Sequence, residues 1–343
     1  MPPRADQQRR ATLTSVAQAA GVSVPTVSKV VNGRVDVAPE TRERVERLLV
    51  EHGYVARGPG GRQAVPQPRV LDLTFDELRN PNNLEIARGV TEEAQLTGID
   101  VVVSTVPDDP LGAHWARRVV ASGRHGLVLV TSQLSAQQQR HLTRAAMPLV
   151  LIDPVNVPAD LVPSIGATNF SGGMAATEHL LSLGHRRIGM IGGRPDAVCS
   201  QARVAGHFSA LATAGIEADP ALLRHGFFRF EPAVRAALEL LDLPEPPTAV
   251  FAASDGQALG VVEAARTRGL RVPEDLSVIG FDDALASQYT SPPLTTIRQP
   301  FADMGRAAVR SLLRLAAHQP LDSHRVELAT SLVVRESTAP LRE

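Results

Sequence analysis

Residues 12–32 read TLTSVAQAAGVSVPTVSKVVN, and this stretch decides the architecture of the amino-terminal part of the chain. Thr12 is placed to cap a first helix that runs through Ala20. Gly21 ends that helix, because glycine adopts a positive φ without steric cost. Ser23 then caps a second helix. Two short helices joined by a glycine turn are typical of a helix-turn-helix.

Helical spacing of apolar residues predicts how this segment packs. A third helix is expected from residue 39 to residue 51, and it completes a small three-helix core. The residues expected to form that core are Val16, Ala19, Ala20, Val27, Val30, Val31, Val45, Leu48 and Leu49. An ordinary helical hairpin is the alternative interpretation. In a helix-turn-helix, the second helix enters the major groove of DNA.

The second helix carries most of the candidate DNA contacts. Val24 and Pro25 open it, and both are apolar, so they can contact a thymine methyl group but form no hydrogen bond to a base. Lys29 is the only lysine in the chain and follows Pro25 by one helical turn, which suits a guanine or phosphate contact. The predicted DNA-binding residues are Leu13, Thr14, Ser23, Val24, Pro25, Thr26, Ser28, Lys29, Asn32 and Arg57.

The charge of the chain is unevenly distributed. All 343 residues together carry a net charge of −1, but residues 1–68 hold ten basic and six acidic side chains. Residues 1–68 are therefore +4 and the rest of the chain −5. A small basic segment joined to a larger acidic one is the pattern of a DNA-binding module fused to another domain.

Composition changes where the charge changes. Residues 57–68 read RGPGGRQAVPQP, and three glycines and three prolines in twelve positions predict a linker without a regular helix. Beyond it, strand-like apolar runs alternate with helical patterns. The candidate strands are Val70–Phe75, Ile99–Ser104, Gly126–Thr131, Leu149–Asp153, Arg187–Gly192, Thr248–Ala252 and Leu276–Phe281. This alternation predicts βαβ units in two doubly wound parallel sheets, with ligands bound beyond the carboxyl ends of the strands.

In these motifs and in those that follow, the chain resembles the lactose-repressor (LacI) family of bacterial transcription regulators over about residues 12–337. The head shows the pattern T-x-x-x-VA-x-x-AGVS-x-x-TVS-x-VVN, and GY follows at Gly53–Tyr54. The body adds GATNFSGGMAATEHLLSLGHRRIGMIGG at 166–193, LSVIGFDD at 276–283 and PPLTTIRQP at 292–300. The resemblance implies a homodimer that binds a pseudo-palindromic operator in double-stranded DNA. It also implies a two-lobed α/β effector domain, similar to periplasmic sugar-binding proteins.

The resemblance also implies domain boundaries. The head spans residues 1–56, the hinge linker 57–68, the effector-binding and dimerisation domain 69–337, and a tail 338–343. Lobe one is expected at about 69–166 and 298–328, and lobe two at about 167–297 and 329–337. The expected activity is repression of carbohydrate-utilisation genes, released by a mono- or disaccharide. A corepressor-type response to another small metabolite, such as a purine, is the alternative.

The effector site follows from the same resemblance. Arg203 matches the family arginine that holds the effector, and a guanidinium binds two hydroxyls or a carboxylate as a fork. Asp282 matches the aspartate that accepts hydrogen bonds from hydroxyls. Phe228 matches an aromatic residue that packs on the apolar face of a sugar. The full set of expected effector-binding residues is Phe75, Asp76, Asp153, Arg203, Phe228, Ser254 and Asp282.

Two departures from the family pattern concern function. Ser254 stands where the family usually has asparagine, which shortens one polar arm of the pocket. After Tyr54 the family usually carries N-x-x-A-x-x-L, whose leucine wedges into the minor groove of DNA. Here the sequence is VARGPGGRQ, without a leucine, so we expect no wedge and only a weak central kink. Arg57 and Arg62 are instead candidates for extended arms in the minor groove.

Other classes of protein fit the sequence less well. The glycine-rich and catalytic motifs of nucleotide-binding proteins, zinc proteases and serine hydrolases are missing, which argues against an enzyme. The single cysteine, Cys199, excludes a disulfide framework and a cysteine zinc site, and we expect it to be buried rather than reactive. We expect no cofactor and no metal. The polar residues 1–10 lack a signal peptide's apolar core, so a cytoplasmic location is expected. This and the attached head argue against a sugar-import binding protein, and a cytoplasmic sugar-binding protein without a role on DNA is the alternative from another class.

Overall fold

The structure, a computed structural model, describes residues 12–31, 37–51, 69–106, 113–131, 135–156 and 162–342. The chain divides into two compact units, residues 1–68 and 69–343. Within the described residues, no helix is both long enough and apolar enough to cross a membrane.

The first unit contains the three predicted helices, α1 (Leu13–Ala20), α2 (Val24–Val31) and α3 (Pro39–Glu51). Their shared core contains Val16, Val27 and Val45, each fully buried. Ala19 was expected in this core, but it is exposed and its neighbour Ala17 is buried instead. The reason is geometric, because α1 meets both α2 and α3 on the face that carries residues 16, 17 and 20.

The second unit is built on two six-stranded sheets. In sheet one all strands run parallel, in the order β11-β5-β4-β3-β1-β2. Their bounds are β1 (Val70–Phe75), β2 (Asp100–Thr105), β3 (Gly126–Val130), β4 (Leu149–Ile152), β5 (Ser164–Ala167) and β11 (Arg325–Leu328). Four helices cover its two faces, α4 (Asn82–Leu96) and α11 (Phe301–Ala316) on one, α5 (Ala113–Ala121) and α6 (Ala136–Arg144) on the other.

Sheet two has the order β12-β10-β9-β8-β6-β7. Its strands are β6 (Ile188–Gly192), β7 (Leu223–His225), β8 (Ala249–Ala252), β9 (Ser277–Asp282), β10 (Thr295–Arg298) and β12 (Ser331–Val333). Its covering helices are α7 (Asn169–Ser182) and α8 (Val198–Thr213) on one face, α9 (Phe230–Leu241) and α10 (Asp255–Thr267) on the other. The prediction of two doubly wound sheets is confirmed, except that the edge strand β12 runs antiparallel to β10.

Three connections join the lobe around sheet one to the lobe around sheet two, here called lobe one and lobe two. They lie between β5 and α7, between β10 and α11, and between β11 and β12. A hydrogen bond links the first and the third of these connections, because Thr330 N donates to Thr168 Oγ1 at 3.0 Å. Because β12 enters from lobe one after only two residues, it runs in the opposite direction to its neighbour.

The carboxyl-terminal residues bond to lobe two. Thr338 Oγ1 shares a hydrogen bond of 2.9 Å with His179 Nε2, and Leu341 N donates to Leu183 O at 2.8 Å. These bonds involve the described part of the expected tail, residues 338–342. Ser277 and His185 hold Ala339 in the same way, so this segment closes one end of lobe two.

Candidate functional site

The helix-turn-helix begins with reciprocal capping bonds. Thr12 Oγ1 accepts from Ser15 N at 3.2 Å, while Ser15 Oγ accepts from Thr12 N at 2.9 Å. At the other end of α1, Gly21 has φ 64° and its N–H bonds the last carbonyl groups of the helix. These bonds satisfy donors and acceptors that a short helix leaves open, and they fix the turn that leads into α2.

The predicted DNA-binding residues lie along α2 and at the start of α1. Ser23 Oγ accepts from Thr26 N at 3.3 Å, and the two hydroxyls share a hydrogen bond of 2.8 Å, so Ser23 caps α2 as expected. Val24, Pro25 and Lys29 are exposed. Ser28 and Leu13 are half-buried and Thr14 is exposed. Asn32 and Arg57 lie outside the residues that the structure describes.

In the second unit, the carboxyl ends of the two sheets face each other. Asn82 Nδ2, on α4 of lobe one, donates to Asp282 Oδ2 at the end of β9 in lobe two, at 2.9 Å. Val198 N donates to Val155 O at 3.0 Å across the same cleft. The cleft between the lobes therefore lies where a doubly wound fold binds its ligand.

Left-handed backbone conformations collect at this cleft. Six of the non-glycine residues with positive φ lie at the carboxyl ends of strands or within three residues beyond them: Thr131, Asp153, Phe227, Phe228, Asp282 and Asp283. Such conformations are costly for residues with a side chain, and they concentrate where a protein positions groups for function. Three of the six, Asp153, Phe228 and Asp282, are expected effector-binding residues.

Arg203, on α8, is 3% exposed and is held on several sides. Its Nε donates to Asn169 Oδ1 at 2.9 Å and its Nη1 to Ala253 O at 2.5 Å. The guanidinium carbon lies 3.8 Å from the centroid of the Phe281 ring. A planar cation held by two acceptors and an aromatic face has one fixed orientation, as ligand recognition requires.

Asp282 is the buried carboxylate next to this guanidinium. Its Oδ1 lies 3.8 Å from Arg203 Nη1 and accepts from Gln299 Nε2 at 2.6 Å, while its Oδ2 accepts from Asn82. Burial raises the pKa of Asp282 to about 6, and Arg203 and the two amides only partly offset that effect. Behind it, burial and the charge of Asp282 raise the pKa of Asp255 well above its usual value.

Asp153 faces Arg203 from lobe one. Burial raises the pKa of the Asp153 carboxyl, and the nearby Arg203 guanidinium opposes that rise. Among the described residues, no hydrogen bond to this carboxylate is present. The group therefore keeps its acceptor capacity for a donor from outside the chain.

The other expected effector residues have different surroundings. Phe228 is half-buried between Gly193 and the small apolar cluster of Val155, Ala197 and Cys199, and its ring centroid lies 5.7 Å from the Arg203 guanidinium carbon. Phe75 is 2% exposed in the core of lobe one, and Asp76 is exposed beside it. Ser254 Oγ accepts from Gln257 N at 3.3 Å, so Ser254 caps α10. Phe75 and Ser254 thus have structural roles, and their contacts with an effector remain predictions.

Four residues of this site were not singled out from the sequence: Asn82, Asn169, Phe281 and Gln299. Three of them lie within quoted motifs, Asn169 in the stretch 166–193, Phe281 in LSVIGFDD and Gln299 in PPLTTIRQP, while Asn82 lies outside them. Their residue types carry no separate signal, because a buried phenylalanine and a buried amide serve many packing roles. The thiol of Cys199 is buried and its pKa is raised to about 12, so it stays protonated at neutral pH.

Each of the two units matches a known protein family. The family described as "Bacterial regulatory proteins, lacI family" matches residues 12–56, and a "Periplasmic binding protein-like domain" matches residues 177–338. The HTH-type transcriptional regulator CelR of Thermobifida fusca is 35% identical over an alignment of 344 positions, and the alignment covers 97% of this chain and 99% of that protein.

Two solved structures are similar along nearly the whole chain. One is a transcriptional regulator CelR–cellobiose complex, with 34% identity, a TM-score of 0.73, and coverage of 96% of this chain and 100% of that chain. The other is the Lac repressor dimer bound to operator and the anti-inducer ONPF, with 31% identity, a TM-score of 0.75 and the same coverage. The head, the two-lobed body and their order all agree with these relatives, and the chain belongs to the LacI family of bacterial regulatory proteins.

Proposed function

We propose that this protein represses carbohydrate-utilisation genes and releases its operator when a small sugar binds between the lobes. The observation that carries the proposal is the Arg203–Asp282 pair, a buried cation and a buried carboxylate at the cleft of a chain that also has a helix-turn-helix head. A relative that is 34% identical was solved with cellobiose, which supports a sugar as the class of effector.

The cleft chemistry suits a polyol. Asp153 and Asp282 accept hydrogen bonds, and Arg203 donates them in a fixed plane. Phe228 supplies an aromatic face for the C–H surface of a sugar ring. These groups come from both lobes, so a ligand that contacts all of them favours the state in which the lobes are close together.

The DNA partner is a pseudo-palindromic operator bound by a homodimer. The solved Lac repressor relative is a dimer on its operator, which supports this assembly. Two heads read half-sites about one helical turn apart, with α2 of each head in the major groove. Because a single head buries little surface, the affinity for DNA depends on how the bodies hold the pair.

The protein acts by binding rather than by catalysis, and it works in the cytoplasm, where its DNA target lies. Its relatives are transcription regulators, which supports a sensor role for the cleft. An effector changes DNA affinity only by the difference between its affinities for the two states of the body.

The test is footprinting of the full chain on operator DNA, with and without sugars. We expect a protected pseudo-palindrome whose affinity falls steeply as salt rises, since phosphate contacts release counterions. Cellobiose, glucose and ribose are the first probes, and one of them should shift the footprint midpoint. Absence of sequence-specific protection at low salt would refute the proposal, whereas tighter binding with a sugar would identify a corepressor.

A further inference from the structure

Lobe one contains a cavity at the opposite end of its strands from the cleft. The cavity has a volume of about 970 Å³ and lies between the carboxyl ends of α6 and α11, beneath the amino ends of β1, β3 and β4. Small-molecule sites in proteins commonly enclose about 300–1,000 Å³. None of the described residues that line it is one of the cleft residues, so a ligand here is separate from the effector.

The floor of this cavity, here called the lobe-one cavity, is apolar. It is formed by four buried leucines, Leu71, Leu142, Leu149 and Leu312, which belong to the clusters on the two faces of sheet one. The entrance is open to solvent, because Ala316 at the end of α11 is exposed. An apolar ligand that enters therefore leaves water and packs on the floor.

The rim of the lobe-one cavity is basic. Arg69 is exposed there and forms no ion pair among the described residues, and His318 adds an imidazole. The ring of His125 is fixed, since its Nδ1 accepts from Val70 N at 3.2 Å, which leaves the proton on Nε2 as a donor. The described lining residues include no Asp and no Glu. The rim therefore suits an anionic head group.

The carboxyl ends of two helices would favour a cation instead, but their carbonyl groups already have donors. Three carbonyl groups in the last turn of α11 accept from Ala317 N, His318 N and Gln319 N, and α6 ends in the same way at residues 145–147. The positive φ of Ala146 and His318 belongs to this capping. These helix ends thus offer few acceptors to a cationic ligand.

We propose that the lobe-one cavity is a second ligand site and that it binds a monocarboxylic acid with an apolar body. The body lies on the leucine floor, and the carboxylate accepts from Arg69 and from His125 Nε2 at the rim. A sugar fits this site poorly, because its hydroxyl groups lose water against leucine without gaining partners. The inference does not rest on the proposed function, since no cleft residue takes part.

The experiment is calorimetric titration of the full chain with hexanoate, octanoate and decanoate, each below its micelle concentration. We expect one molecule bound per chain, with an affinity that rises about tenfold for every two CH₂ groups that leave water. The alcohol 1-octanol has the same chain without the charge, so it should bind at least fivefold more weakly than octanoate. No binding of the three acids, adsorption of many molecules without saturation, or equal affinities for octanoate and 1-octanol would each overturn the inference.

Arg69→Gln tests the head-group contact. Octanoate affinity should fall at least fivefold while 1-octanol affinity stays the same, since only the acid has a charge to pair. Arg235→Gln is the matched control, because Arg235 is an exposed residue of α9 in lobe two and its replacement removes the same charge. Equal octanoate affinities in the two variants would overturn the assignment of the rim.

Ala316→Trp tests the place of the apolar body. A bulky side chain at the entrance should lower the affinities for octanoate and 1-octanol at least tenfold, because it occupies the space of the ligand. Ala212→Trp, at an exposed position near the end of α8 in lobe two, should change neither affinity. Both alanines are exposed, so both variants should fold. Octanoate that binds Ala316→Trp with full affinity lies elsewhere, for example at Arg203, and that result overturns the site.

Discussion

At the scale of single residues, the site is a set of buried charges that neutral groups hold in place. Arg203 is surrounded by the Phe281 face, Asn169 and a backbone carbonyl, and Asp282 by two amides. Buried charges lose hydration, and these contacts compensate for only part of that loss. The result is a group, Asp282, whose protonation state responds to pH and to ligand.

Replacing Arg203 by lysine tests the role of the guanidinium plane. Lysine keeps the charge but cannot bond Asn169 and Ala253 as a fork while stacking on Phe281. We expect sugar affinity to fall about 100-fold, because one or two charge-assisted hydrogen bonds to the sugar are lost. Operator binding should persist. Titration calorimetry and footprinting measure the two properties.

Arg187→Lys is the control for this change, because Arg187 bonds Asp219 and Glu245 O at the opposite, amino-terminal end of β6. It should leave sugar affinity unchanged. Equal sugar affinity in Arg203→Lys and the unsubstituted protein would contradict the assigned role.

Replacing Asp282 by asparagine tests the raised pKa. The folded-state pKa of about 6 lies above the usual 3.8, so the protonated form is favoured in the folded state and the associated stability is lost as pH rises from about 4 through 6. Asparagine does not titrate. The unfolding free energy of the variant relative to the parent should therefore rise by on the order of 3 kcal/mol from pH 4 to pH 7 and then level off.

Urea unfolding at a series of pH values measures this difference. Parallel pH profiles for the two proteins would show that the carboxyl group of Asp282 has an ordinary pKa.

At the scale of elements, the head is specified by local chemistry. The Thr12–Ser15 capping pair, the positive φ of Gly21 and the Ser23 cap each depend on residues within a few positions of one another. In the body, by contrast, the carboxyl ends of strands carry residues with positive φ that local sequence does not demand. Asp153 and Asp282 take that conformation because packing between helix and sheet on both sides fixes the strand ends.

Lys29→Ala tests the role of α2 on DNA. The side chain is exposed in the last turn of α2, and its removal should weaken operator binding about tenfold. If Lys29 contacts a phosphate, the slope of log K against log salt should also become smaller by about 0.9.

Arg47 is an exposed residue of α3, and Arg47→Ala serves as the control because it also removes one positive charge from the head. An unchanged footprint midpoint in Lys29→Ala, or an equal loss in both variants, would rule out a specific role for Lys29.

At the scale of the whole molecule, a net charge of only −1 is the sum of two parts with opposite charge. The basic head and the acidic body differ in sign, and the change falls at residues 57–68. In the body, three connections and the bonded pair Thr168–Thr330 join the two lobes. The linker composition predicts a flexible tether rather than a helix. We therefore expect operator binding to tolerate small changes in linker length.

Insertion of Gly-Ser after Gly61 tests this tether. Lengthening a flexible segment from twelve to fourteen residues costs only about 0.1 kcal/mol, so operator affinity should fall less than threefold. A hinge that had to form a helix of fixed length would lose far more. Gel-shift titration measures the affinity, and a loss greater than thirtyfold would show that the linker holds a defined structure on DNA.

The amino-acid sequence by itself determined the helix-turn-helix, the alternation of strands and helices, the segregation of charge and the family. These follow from caps, periodicity and motifs, which are local in the chain and therefore readable. Only the tertiary structure decided which groups meet at the cleft. The bond between Asn82 and Asp282 joins residues that are 200 positions apart, and Gln299 meets Asp282 because the chain changes lobes there. The partner of a buried polar group depends on how two lobes pack, and no local pattern carries that information.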